Sequence, residues 1–200
     1  MSKYIVLLLV CMLLSSCAGG TQGNSEQLAN ENSSGSSTSP VVQNESDLSD
    51  MAESQEGDFI LQITSEKLVY KPGEEVKMTG KLKYVGDQEK IMIYHSMTPL
   101  AFGVYESSRN IDIGYSMEQP LITTELTKGE WYTQAYKKSG GYSEDGTETE
   151  ETTFIKSFLL EDGFPEGEYR IRLYGDFYTE ENGKKTNYNF SSEINIGVHS

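Results

Sequence analysis

The sequence predicts an all-β domain of two packed antiparallel sheets, and three observations carry that expectation. Apolar residues alternate at period two in a series of short runs, with Gly, Pro, Asn and Asp between them. No stretch sustains the i, i+3, i+4, i+7 apolar spacing of a helix. From Asp58 to Ser200, 20 of 143 residues are Phe, Tyr or Trp, a composition suited to pleated, half-buried surfaces.

The strands follow in order. After a first candidate at 59–64, the clearest runs over 76–84: Val76, Met78, Leu82 and Tyr84 point one way, and Lys77, Thr79, Lys81 and Lys83 point to water. Lys71-Pro72-Gly73-Glu74 introduces it, Pro presetting φ and Gly accepting a positive one, and Val85-Gly86-Asp87-Gln88 closes it. Further candidates are 89–95, 102–106, 111–115, 121–126, 131–136, 152–159, 169–177 and 189–198. The hairpin 179–185 contains Asn182-Gly183, which favours a tight turn. About nine short strands over roughly 140 residues suit a two-sheet sandwich.

Ahead of this domain lies a different kind of sequence. Lys3 precedes an uncharged apolar run from Tyr4 to Leu14, too short to span a bilayer core of ~30 Å and typical of a signal peptide. The run ends in Leu14-Ser15-Ser16-Cys17, which resembles the lipobox of bacterial lipoproteins. That resemblance implies a signal peptide over 1–16, diacylglycerol attached to the Cys17 thiol and cleavage before it. The membrane would then be reached through lipid on Cys17, and the protein would sit on the extracytoplasmic side of the cell membrane. Two acyl chains, each buried methylene contributing ~0.8 kcal/mol, suffice for stable anchoring. Cys11 would leave with the leader, so the mature domain would rest on its core without a disulfide.

From Ala18 to Gly57, nine Ser, five Gly, four Asn and four Gln accompany seven acids, with no Lys, Arg or aromatic residue. Such a segment cannot bury enough apolar surface to offset the entropy of ordering it. Residues 17–57 are therefore expected to form a disordered acidic tether of roughly 35 Å, with the folded domain at 58–200.

Within that domain, Phe164-Pro165-Glu166-Gly167-Glu168-Tyr169 delivers a Tyr into a strand in which Ile171 and Leu173 alternate with Arg170 and Arg172. This resembles the penultimate strand of immunoglobulin-like (Ig-like) sandwiches, which implies a tyrosine corner at Tyr169. Together with Tyr70-Lys71-Pro72-Gly73-Glu74, it also resembles the domain class of the Bacillus intracellular proteinase inhibitors.

Charge and composition exclude several functions. Sixteen basic against 31 acidic residues give a net charge of −15, which repels phosphate backbones and makes nucleic acid an unsuitable partner. Two cysteines and two histidines leave no clustered zinc, haem or iron–sulfur ligation. Nucleophile elbow, His-Glu-x-x-His and P-loop are all absent, and His95 and His199 read as incidental. Glu144, Asp145 and Glu148 lie in an acidic loop that could offer oxygen ligands to calcium, but the spacing lacks the Asp-x-[Asp/Asn]-x-[Asp/Asn]-Gly pattern. A solvated loop is the expectation, with no cofactor.

A cluster of aromatics, Trp131, Tyr132, Tyr136 and Tyr142, is the candidate binding patch. The sequence thus leads to a non-catalytic binding or accessory module for an envelope protein or an extracellular peptide. A proteinase inhibitor and a solute-binding or enzymatic envelope lipoprotein are the alternatives.

Overall fold

A computed structural model describes residues 50–115, 120–142 and 148–200. The leader, Cys17, most of the acidic segment, Glu144 and Asp145 lie outside these residues. The domain is an all-β sandwich with one helix. One sheet has the order β1-β2-β4-β9, built from β1 (Met51–Glu56), β2 (Phe59–Ser65), β4 (Met78–Tyr84) and β9 (Trp131–Ala135). The other has the order β3-β11-β10-β5-β8, from β3 (Val69–Tyr70), β5 (Lys90–His95), β8 (Ile122–Thr127), β10 (Gly167–Glu181) and β11 (Lys184–Val198). Strand β6 (Leu100–Glu106) also pairs with β10, and β7 (Ile111–Asp112) pairs with β6.

Alternation places the core where the sequence predicts. Val76, Met78, Leu82 and Tyr84 are buried, as are Tyr169, Ile171, Leu173 and Phe177 from the facing sheet. Aromatic rings fill both ends of the space between the sheets. At one end Phe59 meets Tyr84, Phe177 and Tyr188, with centroids 4.7–5.4 Å apart. At the other, Phe164 meets Phe158, Tyr169 and Tyr136 at 4.7, 5.0 and 5.9 Å. These edge-on and tilted contacts supply the burial that a Leu-poor sequence must find elsewhere.

The tyrosine corner is present. The Tyr169 hydroxyl donates to the Pro165 carbonyl at 2.7 Å and fixes the entry into β10. Beside it the Glu106 carboxylate, with no exposed surface, accepts from the backbone N–H groups of Arg109 (2.6 Å), Ser108 (3.1 Å) and Glu168 (3.3 Å). Gly167 is required here, because a Cβ would fall 2.7 Å from the carboxylate oxygen.

Four expectations are corrected. Residues 152–159 are not a strand but belong to α1 (Glu150–Leu160). Thr149 and Thr152 form a reciprocal capping box at its start, Glu150 and Glu151 complement the helix dipole, and Phe154, Ile155 and Phe158 share the buried face. The last turn has no basic residue of its own, and Lys138 from a neighbouring loop serves instead, donating to the Glu161 carbonyl (2.7 Å) and to that of Gly163. The acidic segment does not remain unstructured to residue 57. Met51–Glu56 pairs residue for residue with β2, through a two-residue turn in which Gly57 takes φ +54°. The sandwich is not wholly antiparallel either, because β3 runs parallel to the end of β11. The fourth correction concerns the aromatic patch.

Candidate functional site

Trp131, Tyr132, Tyr136 and Tyr142 do not form one surface. Successive strand residues face opposite sides of a sheet. Trp131 accordingly lies on the outer face of the four-stranded sheet under Lys83 (4.2 Å to the ring centre), while Tyr132 packs against the core. Tyr136 is set edge-on to Phe102 and Phe164, inside the sandwich. Tyr142 stands apart, over a third exposed and capped by Lys156 at 5.4 Å. Glu148 is exposed and lies 3.6 Å from the Lys156 ammonium. Among the described residues no group of three or more His, Cys, Asp or Glu side chains is arranged to hold a metal.

Tyr136 carries an oddity of its own. Its hydroxyl is buried with no hydrogen-bond partner among the described residues, and burial pushes the phenol pKa well up. Tyr136→Phe removes an uncompensated polar atom and keeps the ring, so urea denaturation is expected to show a gain of ~1 kcal/mol.

Half-buried and exposed tyrosines gather instead on the outer face of the seven-stranded sheet, along β10 and its neighbours. Outward positions on β10 are Arg170, Arg172, Tyr174, Asp176 and Tyr178, and those opposite on β11 are Asn195, Glu193, Ser191, Asn189 and Asn187. Tyr105 from β6 stands opposite Arg170, whose guanidinium lies 4.5 Å from the ring centre. Tyr94 from β5 stands opposite Tyr178, and their rings stack at 4.9 Å and 8°. Tyr115 approaches Tyr174 at 6.4 Å. This makes a row of five tyrosines.

The positive charges on the row are held in place. Glu193 accepts from Arg172 Nε (2.9 Å) and Nη2 (2.6 Å), and Arg170 approaches the same carboxylate at 3.7 Å. Lys185 lies 4.4 Å over Tyr178. These partly exposed pairs add little stability. They do restrict the arginines, and with Arg172 reaching the Tyr174 hydroxyl and that of Tyr105 donating to Asn110, the asparagine amides of β11 are the adaptable polar groups. Burial raises the Tyr115 pKa, with smaller contributions from Tyr174 and Asp176, which keeps that hydroxyl neutral.

Two cavities flank the row. One of about 410 Å³ is lined by Tyr94, Tyr178, Leu121, Asp176, Asn187 and Asn189. His95 forms part of its wall but is engaged at both nitrogens, Nδ1 with the Ser96 carbonyl and Nε2 with the Thr124 hydroxyl, each at 2.8 Å. Burial lowers its pKa against the opposing Ser96 contact, which favours the neutral ring. The second cavity, about 480 Å³, is apolar, with Met97, Leu100, Phe102 and Ala135 in its walls, and Tyr115 belongs to both it and the row.

No residue of the row stood out in the sequence as a binding residue. The outward alternation of Arg170 and Arg172 was legible, but Tyr178 lies beyond the strand expected at 169–177, and Tyr94 and Tyr105 join the row only through strand register across more than 60 residues.

Comparison with known proteins adds little. No family model matches the chain, and no curated protein is similar to it. Among solved structures, a protein from Archaeoglobus fulgidus aligns over 74% of this chain and 99% of its own, at 9% identity and a TM-score of 0.34. Among the described residues, no helix is long and apolar enough to cross a membrane.

Proposed function

We propose that the chain is a lipid-anchored extracytoplasmic lipoprotein whose sandwich is a non-catalytic module binding an extended peptide segment of an envelope or extracellular protein. The observation that supports this reading is the tyrosine row. Tyr supplies large contact area at low conformational cost, Asn and Ser supply adaptable hydrogen bonds, and this is the mixture protein-binding loops use. From Arg170 to Tyr178 the row spans about 26 Å at 3.3 Å per residue, the length of some eight extended residues. The apolar cavity beside Tyr115 offers a seat for one side chain of such a segment. Cys17 in its lipobox supports the anchor.

The test is affinity capture from detergent-solubilised envelope and culture supernatant, comparing the wild-type chain with Tyr94→Ala and Tyr174→Ala. A partner held at low and moderate salt, and lost at least tenfold with Tyr174→Ala, is the expected result. A partner held equally by both variants would place binding elsewhere, and capture of salt-sensitive basic proteins alone would point to net charge. Labelled palmitate incorporated by the wild type and not by Cys17→Ser tests the anchor separately.

A further inference from the structure

The four-stranded sheet also has an outer face, and its chemistry differs from that of the tyrosine row. Strand register brings Gln55, Ile60, Lys83 and Trp131 into one cross-strand line and Glu53, Gln62, Lys81 and Thr133 into the next. Lys77, just before β4, is exposed and falls in the same alternation. The face therefore carries Lys77, Lys81 and Lys83 over about 20 Å of one strand. Lys83 and Lys81 lie 4.2 and 5.9 Å from the centre of the Trp131 ring. Among the described residues none of these three lysines has a carboxylate within 4.0 Å, in a chain that holds 31 acids. The single acid of the two lines, Glu53, sits at the β1 edge and accepts from Gln62 at 3.1 Å.

We infer that this face docks on an anionic phospholipid bilayer surface. The inference rests on the lipoprotein reading for what brings the domain to a membrane. Charge complementarity is the first argument. The sheets of a sandwich lie about 10 Å apart, and the Debye length at physiological salt is about 8 Å, so acids on the far sheet are screened from a surface that the lysines touch. The net negative charge of the domain, 15 basic against 24 acidic residues over 58–200, then orients it rather than excluding it, since this face gathers three lysines without acidic partners. The chain also enters the domain through this sheet, because β1, its edge strand, begins at Met51. The second argument is the side-chain pair itself. Lys81 and Lys83 hold their ammonium groups over the Trp131 ring without an acidic partner, and Trp favours the headgroup level, where an apolar ring meets polar surroundings. Docking this way leaves the tyrosine row, on the opposite sheet, facing outward.

Trp131 is the sole tryptophan of the chain, so its fluorescence reports on this face alone. The experiment mixes the full purified chain with vesicles of phosphatidylglycerol or phosphatidylcholine and records the emission maximum and quenching by brominated lipid. The vesicle-bound fraction is measured separately by flotation. A blue shift and quenching with phosphatidylglycerol and not with phosphatidylcholine is the expected result. Lys77→Gln, Lys81→Gln and Lys83→Gln together should weaken docking on the order of 100-fold, at about fivefold per lysine. Lys184→Gln, at the far hairpin, should leave it unchanged. Equal signals in both lipids, insensitivity to the triple substitution, or a shift with soluble polyphosphate but none with vesicles would each overturn the inference. Flotation without any Trp131 response would leave the anchor standing and reject the docking face. A chain that fails to float with phosphatidylcholine yet responds to phosphatidylglycerol would reject the anchor and retain the face.

Discussion

Replacing Glu106 with Ala will lower the free energy of unfolding by about 3–5 kcal/mol, because loss of the buried carboxylate leaves three backbone N–H groups and the half-exposed Arg109 without their acceptor. The carboxylate holds three backbone N–H groups from two segments, the turn after β6 and the start of β10, and its ion pair is Arg109 at 3.4 Å. Arg109 in turn donates to the Glu166 carbonyl and lies over Phe154 of the helix, so the loss spreads to α1. Glu106→Gln should cost roughly half as much, because one oxygen remains as an acceptor while the amide NH2 faces another donor. Burial by itself raises the Glu106 pKa, but the N–H groups of Arg109 and Ser108 and the Arg109 charge outweigh it and hold the pKa below the ordinary 4.5. A depressed folded-state pKa means the contribution is full above the unfolded value and is lost as pH falls through the folded one. Wild type and Glu106→Gln should therefore converge in stability as the pH drops below about 4. Urea denaturation across pH measures this directly, and a gap between them that persists at low pH would contradict it.

Phe164→Ala should also cost about 3–5 kcal/mol, as a buried Phe replaced by Ala leaves an unfilled cavity. The ring is 1% exposed and meets those of Phe158, Tyr169 and Tyr136. It therefore links the helix, the tyrosine corner and the end of β9. The diagnostic measurement is amide hydrogen exchange. Protection in Glu150–Leu160 should fall first, while β2 and β4 keep theirs at moderate denaturant. Uniform loss across both sheets would mean that the helix is not a separable unit.

These two positions also show what the sequence makes legible. Pro165 and Tyr169, four apart before an alternating run, pointed to the corner, and β4 and β10 could be read from alternation alone. The helix was not legible, because Thr152, Thr153, Phe154 and Ile155 are β-branched or aromatic and favour a strand by composition. Only the Phe154 and Phe158 spacing and the Thr149 cap tell the other way, and both are short-range signals. β1 was hidden for the opposite reason. Met51-Ala52-Glu53-Ser54-Gln55-Glu56 has no strand-favouring residue, and its place comes from six paired positions on β2 and from Ser192 Oγ reaching Ser54 Oγ at 2.8 Å. The tyrosine row could not be assembled from local sequence, since its residues come from β5, β6, β10 and the segment after β7. The separation of Trp131 from Tyr132, by contrast, follows from strand geometry alone.

The long hairpin of β10 and β11 has a consequence for how the chain reaches this fold. β6 pairs with β10, Leu100 with Gly175 and Glu106 with Tyr169, and the last turn of β11 lies along β3, more than 120 residues earlier. The hairpin-like trio β1, β2 and β4 can form from the N-terminal part alone, but the larger sheet has no centre until the final third of the chain arrives. Nucleation must therefore wait for closures over 60 residues or more, and a fold of this contact order acquires its structure in milliseconds to seconds rather than microseconds. A nascent chain stalled before Gly167 can hold its first sheet but leaves the second without its centre, and the sandwich closes only when its C-terminal strands are delivered.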